Sequence, residues 1–178
     1  MARLSRDDWT GLALAVLAEE GPSGLTVARV CARAGRTRGS LYHHFENHDA
    51  LLFGVLERWR REFTEAPAAA HPPGEGASAG LHEVVMGFDF RLEQNVRRLV
   101  AQRDDLRSVV EAVDEQRIAH LARIDEERGA SAEDARMRAE IEYAAFLGIQ
   151  QLDLPPTRLG ALFARFDALW PRRSRAQS

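Results

Sequence analysis

The chain has 178 residues, a formal net charge of -3 at pH 7, 45% hydrophobic and 29% charged residues, and one cysteine. These values describe an ordinary globular composition and exclude a collagenous, disordered or disulfide-stapled chain. No apolar run approaches the ~20 residues that span a bilayer, so a soluble cytoplasmic protein with no membrane partner is expected. In chain order, Ser5 and Asp8 form a capping box. Trp9, Leu12, Ala13, Val16 and Leu17 follow at one-face spacing, predicting a first helix that Gly21-Pro22-Ser23-Gly24 stops.

Leu25 and Thr26 read as the entry to a second helix, with the threonine oxygen as its cap. Val27, Val30, Cys31 and Ala34 recur at helical spacing and form an inner face, on which Cys31 is packing. Gly35 stands where a left-handed helix stop is required, and Thr37 can cap a third, short helix. Arg38, Gly39, Ser40, Tyr42 and His43 fall on its outer side, while Leu41 and Phe45 anchor it. From Thr26 to Phe45 there is no Asp or Glu, whereas Arg29, Arg33, Arg36 and Arg38 all lie inside. Two short helices about a tight turn, bearing one sign of charge, fit a helix-turn-helix laid against a polyanion. The slightly acidic total hides this local feature.

Asn47 caps a longer helix in which Leu52, Val55, Leu56, Trp59 and Phe63 share a face. Ala66 to Gly80, rich in proline, glycine and alanine, reads as a mobile connector. Leu81, Val84, Val85, Phe88 and Leu92 form the next stripe. Val96, Leu99 and Val100 make a short piece, and Leu106 through Ile124 a long one. Gly129 ends that helix, and Ser131 with Asp134 opens another. There Met137, Ile141, Ala144 and Gly148 lie on one side, with Tyr143, Phe146 and Leu147 opposite. A final helix after Pro155-Pro156 carries Leu159, Leu162, Phe163, Phe166 and Trp170, with Gly160, Ala161, Ala164 and Ala168 as a small-residue surface. The tail Arg172-Arg173-Ser174-Arg175 is basic and expected to be disordered. With no alternating strand pattern, an all-α chain of about nine helices follows.

The run Thr26, Val30, Cys31, Ala34, Gly35, Arg36, Thr37, Gly39, Leu41, Tyr42, His44, Phe45, His48, Asp49 and Leu51 resembles the DNA-binding motif of the TetR family of bacterial transcriptional regulators. Arg36 departs from the usual valine. His48 replaces a lysine that the family uses on a phosphate, and histidine supplies less charge there at neutral pH. The resemblance implies a helix-turn-helix domain over 1–47, a regulatory and dimerisation domain over 48–170, and the tail over 171–178. It also implies a ligand-responsive regulator, a repressor, that binds a palindromic double-stranded DNA operator as a homodimer and is released by an unknown small-molecule effector.

On that reading Thr26, Arg36, Thr37, Arg38, Gly39, Ser40, Tyr42, His43, His44 and His48 face DNA. Tyr42 and His44 press the backbone, and Arg38 and Ser40 read base edges. Trp59, Phe63, Met86, Phe88, Phe90, Arg117 and His120 are candidates for the effector pocket. A cation such as Arg117, in the middle of an apolar stripe, either pairs with a carboxylate or awaits a ligand. Ile141, Ala144, Gly148, Gly160, Ala161, Ala164 and Ala168 form the expected dimer interface, a four-helix bundle from two chains. No cofactor, metal or enzymatic activity is expected. A metal cluster of His43, His44, His48 and Asp49 is disfavoured because each position has a role in the motif. A helical interaction protein of the same fold that has lost DNA binding is the alternative, prompted by Arg36 and His48.

Overall fold

The computed structural model describes residues 3–74, 76–152, 154–155, 157–158, 161–162 and 165. Among them all regular structure is helical, with no strand. The elements are α1 (Arg6–Gly24), α2 (Val27–Ala34), α3 (Arg38–Tyr42), α4 (His48–Arg60), α5 (Ala66–Ala70), α6 (Ala77–Met86), α7 (Phe90–Ala101), α8 (Arg107–Glu127) and α9 (Ala132–Ile149). A π-helical turn, Arg61–Glu65, continues α4, and a 3-10 turn, Asp104–Leu106, leads into α8. These divide into two compact units, Met1–Glu65 with Asp89–Ala112 and Ala66–Phe88 with Val113–Ser178.

In the first unit α1 is the central rod, packed against α2, α4 and α7. Its apolar stripe explains this, because Trp9, Ala13, Val16 and Leu17 are all buried. The capping box forms as expected: the Asp8 amide donates to Ser5 Oγ at 3.1 Å and the Ser5 amide to Asp8 Oδ2 at 2.8 Å. Gly21 does not end the helical path cleanly. It takes φ 73°, kinks the chain, and a further turn runs on to Gly24. On α4, Leu51, Leu52, Val55, Leu56 and Trp59 are buried as the helical spacing demands. Asp7 accepts from Arg58 at 2.9 Å and from Arg61 at 2.8 Å, tying the two helices on the outside. Such exposed pairs contribute at most about 1 kcal/mol each. The buried side chains, at roughly 1.5–3 kcal/mol apiece, decide the packing.

Three expectations are corrected. Ala66 to Gly80 is not a connector throughout, because α5 and the start of α6 lie within it. Alanine is the best helix former, and Pro67 falls in a first turn where no amide partner is needed. The non-helical stretch shrinks to the part around Pro72, Pro73 and Gly74. The stripe from Leu81 to Leu92 is divided at Gly87, after which Asp89 caps α7 by accepting from the Arg91 amide at 3.0 Å. Leu92 then shares one helix with Val96, Leu99 and Val100, which the sequence assigned to a separate short piece.

In the second unit α8 and α9 pack through Ala122, Ala135 and Ala139, flanked by Ile118, Leu121 and Ala130. Small residues permit this close approach. Ser131 caps α9, accepting from the Asp134 amide at 3.1 Å. Arg136 of α9 holds Glu115 of α8 through two bonds of 2.5 and 2.7 Å. Leu159, Gly160, Phe163, Ala164, Phe166, Ala168, Trp170 and the tail over 171–178 lie outside the described residues.

Candidate nucleic-acid interface

Each turn of the helix pair has a local cause. Thr26 caps α2 by accepting from the Arg29 amide at 3.2 Å. At the other end Gly35 takes φ 59°, and its amide and that of Arg36 close on Ala32 O at 3.1 Å and Cys31 O at 3.0 Å. Only glycine enters that left-handed conformation without steric cost. Thr37 then caps α3, accepting from the Ser40 amide at 3.3 Å, with its Oγ1 3.2 Å from Ser40 Oγ.

A helix of five residues does not persist on its own. Leu41 at 0% exposure and Phe45 at 2% hold it down. Together they contribute about 3–6 kcal/mol of burial, enough to outweigh a costly helix nucleus. Arg6 covers the ring of Phe45, its guanidinium carbon 5.0 Å from the centroid. The outer side of α3 and the following turn is exposed at Arg38, Gly39, Ser40, Tyr42 and His43, while Arg36 and His44 are half-buried. The His43 and His44 rings meet edge to face at 5.2 Å. His48 is half-buried, with Nε2 3.0 Å from Leu25 O, which staples the start of α4 to the entry of α2.

The electrostatics differ from a uniformly positive patch. Arg29 is paired with Glu20 at 2.8 Å, and Arg33 holds Glu19 through two bonds of 2.5 and 2.7 Å. The Arg33 bonds keep the Glu19 carboxyl below its ordinary range and push the guanidinium up. The absence of acid between Thr26 and Phe45 therefore misleads, since the end of α1 supplies carboxylates to α2. Arg36 and Arg38 are the arginines of the turn and of α3. Cys31 is buried, and desolvation raises its thiol, as expected of a packing residue.

One residue that sequence reasoning missed is Arg3. It precedes the Ser5 cap, yet its Nη2 donates to Nε2 of His43. A basic residue just ahead of a helix was its only signal, and nothing local pointed to a partner so far along the chain.

The remaining candidates fall elsewhere. Trp59 is wholly buried on α4, and Phe63 and Phe90 are half-buried in the same unit. Met86 and Phe88 are half-buried in the other unit, where His120 is buried with Nε2 3.0 Å from His71 O. Burial lowers the His120 pKa. Arg117 has the partner that an embedded cation requires. Its Nη1 donates to Tyr143 Oη at 3.1 Å, and that hydroxyl donates to Asp114 Oδ1 at 2.6 Å. On α9 Met137 is 55% and Ile141 40% exposed, with Ala144 and Gly148 also exposed, while Tyr143 on the opposite side is buried. Ala161 is exposed. Among the described residues no group of three metal-capable side chains converges, and no helix is long and apolar enough to cross a membrane.

Residues 11–55, which take in the helix pair and much of its two flanking helices, match the family described as bacterial regulatory proteins, tetR family. No curated protein matches the chain.

Proposed function

We propose, because the chain belongs to the tetR family of bacterial regulatory proteins, that this DNA-binding regulator acts as a homodimer on a palindromic operator and represses transcription by occlusion. The observation that carries the reading is the outward face of α3. Arg38, Ser40, Tyr42 and His43 are exposed together while Leu41 and Phe45 beneath them are buried. Arg38 and Ser40 face base edges, with arginine suited to the O6/N7 edge of guanine. Tyr42 and His44 lie against the sugar-phosphate backbone, and Thr26 at the start of α2 takes a phosphate, helped by the helix dipole.

Dimerisation is supported by the apolar stripe of Met137, Ile141, Ala144 and Gly148 on α9, which is exposed among the described residues and needs a cover. A second copy covers it, and its two-fold axis matches a palindrome. Release by a small-molecule effector is the remaining part of the proposal. It is assigned to the helical body after α4, where Arg117 donates to Tyr143 and the buried His120 lies against the His71 carbonyl.

The test is fluorescence anisotropy on a duplex from the chain's own upstream region, across a salt series, with sedimentation to count subunits. About four phosphates per subunit make roughly eight per dimer, and log K falls against log salt with a slope near about -7. Ile141→Glu yields a monomer that has lost most of this affinity. A slope near zero, or a wild-type chain that stays monomeric at micromolar concentration, sinks the proposal.

A further inference from the structure

The start of α4 brings an acid close to the entry of α2. Asp49 stands in the first turn of α4, where the free amides of a helix start favour a carboxylate. Its neighbour His48 has Nε2 3.0 Å from Leu25 O, directly ahead of the Thr26 cap of α2. Successive Cα atoms are about 3.8 Å apart, so Asp49 lies within roughly 10 Å of the α2 entry, read above as a phosphate site. A charge that suits the helix therefore opposes the polyanion.

The turn between α7 and α8 meets that charge. Arg103 Nη2 donates to Asp49 Oδ1 at 2.9 Å, across 54 residues of chain. Asp105 holds the same guanidinium from the other side, accepting from Nε at 2.8 Å and from Nη2 at 2.7 Å. The backbone beneath is fixed as well. The Arg103 amide donates to Val100 O at 3.0 Å, the Leu106 amide donates to Arg103 O at 3.1 Å, and Leu106 is wholly buried. All of these residues belong to one compact unit. The two carboxylates push the Arg103 pKa up, and Arg103 holds the Asp105 carboxyl below its ordinary range. The Asp49 side chain is 58% exposed, and an exposed ion pair adds little to folding stability. Its larger effect is on the field at the α2 entry.

We infer that Arg103 is a positioning residue for DNA binding that acts through Asp49. It fixes and neutralises that carboxylate, so that duplex phosphates meet no free negative charge at the start of α4. The inference rests on the DNA-binding reading above and adds to it a residue from outside the helix-turn-helix.

The experiment is fluorescence anisotropy on the upstream duplex with wild type, Arg103→Met, Asp49→Asn, the double variant and Arg103→Lys. Two unit charges about 10 Å apart in water alter an equilibrium constant about twofold. With roughly two phosphates felt by each subunit of a dimer, Arg103→Met weakens binding about tenfold at about 10 mM salt. At about 0.15 M, where screening acts over about 8 Å, the loss shrinks to about twofold. Asp49→Asn does the reverse and strengthens binding by a similar factor, because the acid is gone and the cation stays. The double variant restores the wild-type charge balance and binds within about twofold of wild type, and Arg103→Lys recovers most of the affinity. A bridge that served only to hold α4 in place would make both single variants lose affinity alike. Urea unfolding checks that each variant is folded, and Asp49→Asn carries the test alone where Arg103→Met is unstable. If wild type binds duplex with a steep salt dependence while Asp49→Asn weakens binding or leaves it unchanged, the inference is overturned and the proposed function stands. A wild type that ignores the duplex even at about 10 mM salt overturns both.

Discussion

Asn95 offers a sharp test of how the end of α1 is held. Pro22 has no amide hydrogen, so the Ala18 carbonyl, four residues earlier, has no helical donor. Gly21, at φ 73°, turns the chain away just there. Asn95 on α7 is 7% exposed, and its Nδ2 donates to Leu17 O at 2.9 Å and to Ala18 O at 3.2 Å. Its Oδ1 is taken by Arg98 Nη1 at 3.2 Å, which fixes the amide orientation. In Asn95→Leu, a change of similar volume, the two donated bonds disappear and Ala18 O is stranded. One stranded carbonyl costs about 1–3 kcal/mol and one lost bond about 0.5–1.5 kcal/mol, so the loss is roughly 2–4 kcal/mol. Asn95→Asp is worse above the titration range of a carboxylate, because a negative oxygen then faces two carbonyl oxygens. Part of that deficit returns in acid as the carboxyl regains a donor. Urea unfolding of the three proteins measures these differences. An Asn95→Leu protein within about 0.5 kcal/mol of wild type refutes the reasoning, since the amide would then be dispensable to the bend.

Two further outcomes follow from single residues. Gly35→Ala meets no atom within 4 Å, so its cost is backbone strain alone, about 1–2 kcal/mol, and Gly35→Asn recovers part of it. Thermal unfolding reads this, and an alanine variant as stable as wild type rules out strain at that turn. His120 is buried among groups that include the His71 carbonyl and Arg123, and its pKa is lowered in the folded state. The unfolded chain therefore binds the proton more readily, so stability falls as pH drops below the ordinary imidazole value and is complete above it. His120→Gln flattens the urea midpoint between about pH 5 and 7, and an unaltered profile there removes His120 from the account.

Whatever depends on neighbours within a helical turn was legible in the sequence. Ser5, Thr26, Thr37, Asn47 and Ser131 each cap a helix three residues ahead, Gly35 takes its left-handed turn, and Leu41 and Phe45 point inward. Caps and helical period act over three or four residues, and the order of residues specifies them almost alone. Tertiary structure decided which charges meet. Arg29 and Arg33 are matched to Glu20 and Glu19 across a helix junction, Arg117 to Tyr143 and Asp114 between two helices, and Arg3 to a histidine beyond three helices. A guanidinium reaches several ångströms in any direction, and its partner is whatever the packed backbones bring near. The same reason explains why a charge pattern free of acid overstated the cationic surface, and why α7, an ordinary amphipathic helix by its spacing, supplies the amide that completes the bend of α1.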